Sequence, residues 1–248
     1  MSAPLLETRQ LTRAFGSLLA VNRVDFTLEP GELRSIIGPN GAGKTTFFRL
    51  IAGELAPTSG RIVFRGRDIT GLPQHQVARL GIAKSYQITN VFPRLTVFEN
   101  VRVAAQGPAR AFDVWSRREA LVEARERAWA LLRAVGLERR ADLPAAHLSH
   151  GEKRHLELAI ALAGDPALLL LDEPTAGMSP EETEATVALI RELAAGRTVV
   201  LVEHKMRVVM RISDRITVLH QGQVLAEGTP EEIRASAVVQ QTYLGALR

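Results

Sequence analysis

Ala167 to Leu171 and Thr198 to Val202 are short runs that are apolar almost throughout, set in a chain where polar and apolar positions otherwise mix closely. Runs of that length without a polar face fit strands buried on both sides inside a parallel sheet. A helix over about Pro180 to Ala195 separates them, and strands alternating with helices point to an α/β architecture. Further on, Arg215 to Leu219 and Gln223 to Ala226 flank Gln221-Gly222, which predicts a hairpin. The first part of the chain reads differently. Leu5 to Leu11, Arg23 to Leu28 and Arg61 to Phe64 are candidate strands, with turns at Glu29-Pro30-Gly31 and Pro57-Thr58-Ser59-Gly60. Between them Glu32 to Ile37 predicts a strand running into a glycine-rich loop, followed by a helix over Thr45 to Ala52 that Gly53 stops.

The middle, from about Ile88 to Gly164, is mainly helical in pattern. Ser116-Arg117-Arg118-Glu119 fits a capping box, after which Leu121, Ala124, Ala128, Leu131 and Val135 recur on one face and Gly136 suits a C-cap. No repeat of fixed period and no low-complexity linker interrupts the chain. The expectation is one α/β domain, residues 1–87 and 165–248, with a helical segment, residues 88–164, inserted into it.

Composition narrows the class. Of 248 residues, 46% are apolar and 23% charged, as in an ordinary globular protein with a full core. There is no cysteine, which excludes disulfides and thiolate metal sites. The apolar runs are far shorter than the roughly 18 residues that span a bilayer, and Met1 to Glu7 lacks a basic start followed by an apolar block. A soluble, cytoplasmic protein is expected. The formal charge of +4 comes from basic residues interleaved with acids, as in Glu123-Ala124-Arg125-Glu126-Arg127, and only 5% of residues are aromatic. That pattern describes solvated helix faces and predicts no nucleic-acid partner.

The chemistry-bearing residues begin with Gly38-Pro39-Asn40-Gly41-Ala42-Gly43-Lys44-Thr45, a phosphate-binding loop between the predicted strand and helix. Glycines let successive backbone N–H groups face a phosphate, and the following helix presents its positive end. Lys44 can reach the β- and γ-phosphates and the Thr45 hydroxyl can ligand Mg²⁺. Leu168 to Leu171 then runs into Asp172-Glu173. A carboxylate ending a buried strand can hold Mg²⁺ through water, and the next one can polarise an attacking water. Taken alone, the Asp-Glu pair also fits a helix N-cap, and Ser149-His150-Gly151-Glu152 also fits a capping box.

Leu148-Ser149-His150-Gly151-Glu152, about 20 residues before the Asp-Glu strand, resembles the signature motif of ATP-binding cassette ATPases, with departures at His150 and Glu152 from the commonest Leu-Ser-Gly-Gly-Gln. Other landmarks of that family follow in order. Gln87 matches the glutamine loop, His204 the switch histidine and Phe15 the aromatic that stacks on adenine. Ala176-Gly177-Met178-Ser179 matches the loop linking paired subunits, with Ser179 in place of the common Asp. The resemblance covers essentially the whole chain. It implies a P-loop NTPase core of RecA-like type, an N-terminal antiparallel β subdomain and an inserted helical subdomain. It implies ATP bound by Phe15, Gly38 through Thr46 (Thr46 included), and by Ser149 and Gly151 of a second subunit. Mg²⁺ is then expected on Thr45, Gln87 and Asp172, with Glu173, His204, Lys44 and Gln87 in catalysis.

Finer segments are similar to the ATPase subunits of bacterial uptake systems for branched-chain and other hydrophobic amino acids. They include Leu95-Thr96-Val97-Phe98-Glu99-Asn100-Val101, Val202-Glu203-His204-Lys205-Met206, Glu227-Gly228-Thr229-Pro230 and Tyr243-Leu244-Gly245. This likeness implies a paired ATPase, either a second copy or a paralogue, and transmembrane permease subunits pressed by the segment after Gln87, including Phe92 and Arg94. It also implies an indirect periplasmic solute-binding protein and a place on the cytoplasmic face of the inner membrane. Urea or amide import, lipopolysaccharide export, a soluble cassette acting on ribosomes or DNA, and an inactive regulatory module are the alternatives.

Overall fold

A computed structural model describes residues 3–85, 91–106 and 117–244. Strands β1 (Leu6–Phe15) and β2 (Leu18–Leu28) form a long hairpin, followed by β3 (Leu33–Ile37) and helix α1 (Lys44–Ile51). Next come β4 (Ser59–Phe64), β5 (Arg67–Asp68), α2 (Gln74–Arg79) and β6 (Ile82–Ser85). Three longer helices follow: α3 (Val97–Gln106), α4 (Arg117–Ala134) and α5 (His150–Leu162). The chain then alternates through β7 (Leu168–Asp172), α6 (Pro180–Ala194), β8 (Thr198–Val202) and α7 (Met206–Ile212). Then come the hairpin β9 (Arg215–His220) and β10 (Gln223–Gly228), α8 (Pro230–Ala235) and a short α9 (Ala237–Val239).

Two sheets result. An antiparallel sheet has the order β2-β1-β4-β5, and a six-stranded sheet has the order β10-β9-β3-β8-β7-β6. In the second sheet all neighbours pair in parallel except the edge strand β10. The apolar runs owe their lack of a polar face to burial on both sides. Leu168, Leu170, Val200 and Val202 enter one core with Phe47, Phe48 and Ile51 of α1 and with the antiparallel sheet. The alternate residues Leu169, Leu171, Val199 and Leu201 enter a second core with α5 and α6. The period-2 alternation of a strand thus feeds two cores from one run.

The helical segment leaves the sheet after β6 and returns at β7, although those two strands are hydrogen-bonded neighbours from Ile82↔Leu168 to Ser85↔Leu171. It is therefore an excursion of the chain out of one sheet. Leu156, Leu158, Ala159 and Leu162 of α5 pack in the same core as Leu169 and Leu171, so the excursion is anchored on the sheet. Ser116 of the expected capping box lies outside the described residues. On α4 the buried stripe runs through Ala124, Ala128, Leu132 and Val135, while Leu121 is 41% exposed and Leu131 only partly buried. Ala124, Ala128 and Val135 are buried as expected, while Leu132 takes the place of Leu131 and Leu121 drops out of the stripe. The cause is tertiary: α3 and α5 pack against α4, Phe98 meets Trp129 at a 4.9 Å ring separation, and the stripe follows those partners. Gly136, at φ +72°, supplies the left-handed residue just beyond the helix end.

Candidate nucleotide site

The order β3-β8-β7 sets the loops after these three parallel strands side by side at their C-terminal ends, where open α/β sheets bind ligands. They carry the glycine loop, His204 and Glu173, and all three line a cavity of about 490 Å³.

The loop from Gly38 to Gly43 is held from two sides. A Cβ on Gly38 would stand 2.2 Å from the Leu219 carbonyl oxygen, and one on Gly43 would stand 2.2 Å from that of Ala20. Only glycine permits both approaches. The Gln221-Gly222 turn completes the clamp: the Gly222 N–H donates to the Ala42 carbonyl at 3.0 Å, and the Asn22 N–H donates to the Gly222 carbonyl at 2.8 Å. Helix α1 then starts without a side-chain cap and without an acidic residue in its first turn. Its uncapped N–H donors and dipole face the cavity through Lys44, Thr45 and Thr46. Lys44 is buried, and its Nζ donates to the Gly38 and Pro39 carbonyls at 2.7 and 2.9 Å. Burial pushes its pKa down, partly offset by the nearby carboxylates of Glu173 and Asp172.

Asp172 ends β7 and is 4% exposed. Burial raises its pKa, against the pull of Lys84, and the Glu173 charge adds to the rise. A buried carboxylate penalised in this way is poised to bind a cation, which would offset the desolvation. Its backbone carbonyl accepts from Arg154 Nη2 at 2.6 Å, and Arg154 Nη1 pairs with Glu157 at 2.6 Å, tying α5 to the strand end. Glu173 follows in a left-handed conformation, φ +47°, rare for a side chain of this kind and typical of functional turns. Its Oε1 lies 2.8 Å from His204 Nε2. The helix-cap alternative for Asp172-Glu173 does not hold, because α6 is capped by Ser179 in a reciprocal box with Glu182.

Phe15 stands at the cavity wall, 43% exposed, with the Arg13 guanidinium 4.6 Å from its ring centre. Asn40, Gly41, Ala42 and Gly43 also line the cavity, with Leu18, Leu19 and Ala20 from the β1–β2 hairpin beside them. Ser149 and Gly151 do not. They begin α5, where Ser149 Oγ accepts from the Glu152 N–H at 3.2 Å and Glu152 Oε2 accepts from the Ser149 N–H at 2.9 Å. Glu152 also pairs with Arg140 at 3.0 Å; the segment is a capping box in which Ser149 and His150 are exposed and Gly151 is buried. The substituted His150 holds the Ala176 carbonyl through Nε2 at 3.1 Å. Gln87 lies outside the described residues. Arg154 carries no motif signal and Glu203 only that of the Val202 to Met206 segment; their buried contacts show what each holds in place.

A glycine loop, a strand-end carboxylate pair and a histidine on adjacent parallel strands define a nucleotide-hydrolysing P-loop protein. Residues 21–176 match the family model described as ABC transporter, and residues 223–246 match one described as branched-chain amino acid ATP-binding cassette transporter. The chain is 44% identical, over 99% of both proteins, to the high-affinity branched-chain amino acid transport ATP-binding protein LivG of Escherichia coli K12. Its fold matches the ADP conformation of MJ1267, an ATP-binding cassette of an ABC transporter, with TM-score 0.86 and 28% identity over 98% of this chain and 100% of that one. It also matches the dimeric post-hydrolysis state of the cassette MJ0796 bound to ADP and Pi, with TM-score 0.76 and 28% identity over 91% and 98%. The chain belongs to the ABC transporter family and is an ATP-binding, ATP-hydrolysing cassette of it.

Proposed function

We propose that this cassette hydrolyses Mg²⁺-ATP between two paired subunits and thereby powers uptake of branched-chain or related amino acids through permease partners. The observation that carries the reading is the convergence of the phosphate loop, Glu173 and His204 on one cavity. The match of residues 223–246 and the similarity to LivG favour amino-acid uptake over lipopolysaccharide export or urea import.

In this reading adenine stacks on Phe15, which has a guanidinium beside its ring, and the phosphates lie along the loop from Gly38 to Thr46, of which Asn40 to Thr46 line the cavity. Lys44 exchanges its two carbonyl partners for phosphate oxygens. Thr45, Asp172 and Gln87 would hold Mg²⁺, which would supply positive charge to the phosphates. Glu173 takes the proton of the attacking water, the water oxygen bonds to the γ-phosphorus, and the bond to the β–γ bridging oxygen breaks, leaving ADP and phosphate. His204 Nε2 fixes Glu173 and, with Gln87, answers to the γ-phosphate.

Ser149, which is exposed, and Gly151, which is buried, stand outside their own chain's cavity at a helix N-terminus, which supports their use on the γ-phosphate of a partner's site. Residues 1–87 with 165–248 act as the catalytic core and residues 88–164 as the signature arm. Phe92 is 59% exposed, beside exposed Arg94, and Asn100 holds it by accepting its N–H at 2.7 Å and donating to its carbonyl at 3.1 Å. That surface suits permease coupling helices. Among the described residues no helix is long and apolar enough to cross a membrane; the place proposed for the chain is the cytoplasmic face of the inner membrane, held there through its permease partners. A periplasmic solute-binding protein would act only through the permeases, and no nucleic acid is called for.

The test is ATPase rate against protein concentration, with Glu173→Gln as control. A rate rising faster than linearly and suppressed by Glu173→Gln is expected; a linear rate that Glu173→Gln leaves untouched contradicts the scheme.

A further inference from the structure

Glu203 is a buried carboxylate, 3% exposed, for which the hydrolytic scheme has no use. Its Oε1 accepts from the Thr175 N–H at 3.1 Å and from the Thr175 hydroxyl. Its Oε2 accepts from the N–H of His204 at 2.8 Å and of Lys205 at 3.1 Å. Lys205 closes the ring, because its Nζ donates to the Thr175 carbonyl and to Thr183 Oγ1, each at 2.9 Å. One carboxylate therefore gathers donors from two loops, a cost of burial that only full hydrogen bonding offsets.

The loops concerned are those that carry the reacting pair. Thr175 lies two residues after Glu173, and Glu203 immediately precedes His204. The Glu173 N–H, donating to the Val202 carbonyl at 2.9 Å, adds a backbone link between the same two segments. The reacting side chains themselves are partly open to solvent, His204 40% and Glu173 23% exposed, so their placement depends on the backbone beneath them. We infer that Glu203 is a positioning residue that sets the Glu173–His204 contact by clipping the Thr175 segment to the backbone of His204 and Lys205. This assignment rests on the ATPase reading above. A reacting group misplaced by about 1 Å can lose on the order of 100-fold in rate, so the clip acts on turnover. The hydrogen bonds of the clip join Thr175, Thr183, Glu203, His204 and Lys205 and none of them goes to the phosphate loop, so nucleotide affinity is spared.

Glu203→Gln tests it. The amide keeps the shape but accepts through one oxygen only, turning its NH₂ against donors of one loop. Nucleotide affinity by calorimetry and single-turnover hydrolysis are measured in the wild-type and His204→Ala backgrounds, forming a double-mutant cycle. The assignment predicts ATP affinity within about twofold, hydrolysis slowed about tenfold in the wild-type background, and less than a twofold effect once His204 is gone. Equal slowing in both backgrounds would mark Glu203 as a general stability element, and unchanged hydrolysis would remove it altogether. If Glu203→Gln fails to fold by circular dichroism, Thr175→Val removes one donor of the clip and carries the same prediction at about threefold. Hydrolysis that survives Glu173→Gln, by contrast, overturns the parent reading and not the clip alone.

Discussion

Glu173 Oε1 and His204 Nε2 meet at 2.8 Å across two loops whose strands, β7 and β8, are parallel neighbours in register at Asp172↔Val202. The contact follows from the sheet. Residues just beyond the ends of paired parallel strands emerge side by side, and β3, on the far side of β8, delivers the phosphate loop to the same edge. A base placed beside a bound triphosphate gains its value in the transition state and little in the ground state. Glu173→Gln is therefore expected to lower the hydrolysis rate by about 10²–10⁴-fold while ATP binding stays within a few-fold, measured by phosphate release and calorimetry.

The glycines of the loop differ in what they require. Gly41, at φ +80°, has open space where a Cβ would stand, whereas at Gly43, φ +98°, a Cβ would meet the Ala20 carbonyl oxygen at 2.2 Å. Gly41→Ala should cost only the left-handed strain of about 1–2 kcal/mol. Gly43→Ala must push the β1–β2 hairpin off the loop, so its melting temperature should fall further and its nucleotide affinity should collapse. Thermal melts and nucleotide titrations of the two variants separate these outcomes.

Asp172 carries a folding penalty that depends on pH. Its pKa is raised in the folded protein, chiefly by burial, above the ordinary 3.8. At any pH above the folded value the carboxylate penalises folding; as pH falls through that value toward 3.8 the penalty disappears. Asp172→Asn should thus melt higher than wild type at pH 7 and lose that advantage on acidification, while hydrolysis is lost. Melting curves of both proteins between pH 7 and pH 4 check the sign.

The helix cap at α5 behaves in the opposite sense. The Ser149 backbone N–H, followed by the Arg140 charge, holds the Glu152 pKa below the ordinary 4.5. The carboxylate's contribution is complete above 4.5 and fades as pH falls through the depressed value. Glu152→Ala should lower the melting temperature at pH 7 and approach wild type in acid. Ser149→Ala removes the other half of the box and should cost about 1 kcal/mol, read by urea denaturation.

What the chain discloses in advance follows the range of its interactions. The phosphate loop is contiguous and each of its glycines has a positive φ, so the motif is readable residue by residue although the carbonyls that press on Gly38 and Gly43 come from distant segments. The strands β7 and β8 betray themselves because burial on both faces leaves polar residues only at their ends, Asp172 and Thr198. The contacts of Glu203 and Arg154 give no such signal: their partners Thr175 and the Asp172 carbonyl lie 28 and 18 residues away, and only the fold brings them together. Leu121 misleads for a related reason. The helical period allows more than one apolar stripe on α4, and contact with α3 and α5 selects the one through Leu132. Ser149-His150-Gly151-Glu152 supports two readings because a capping box and an anion-binding helix end use the same orphan N–H groups.

The central claim is that a magnesium-bound adenine triphosphate is gripped at Lys44. Calorimetric titration of the wild-type chain and of Lys44→Ala with Mg²⁺ and ATP tests it most directly. Saturable binding near one nucleotide per chain, weakened at least about tenfold in Lys44→Ala, is the predicted result, since a charge-assisted contact is worth about 1.5–3 kcal/mol. Equal affinity in the two proteins, or no heat from the wild type at millimolar nucleotide, would contradict the account.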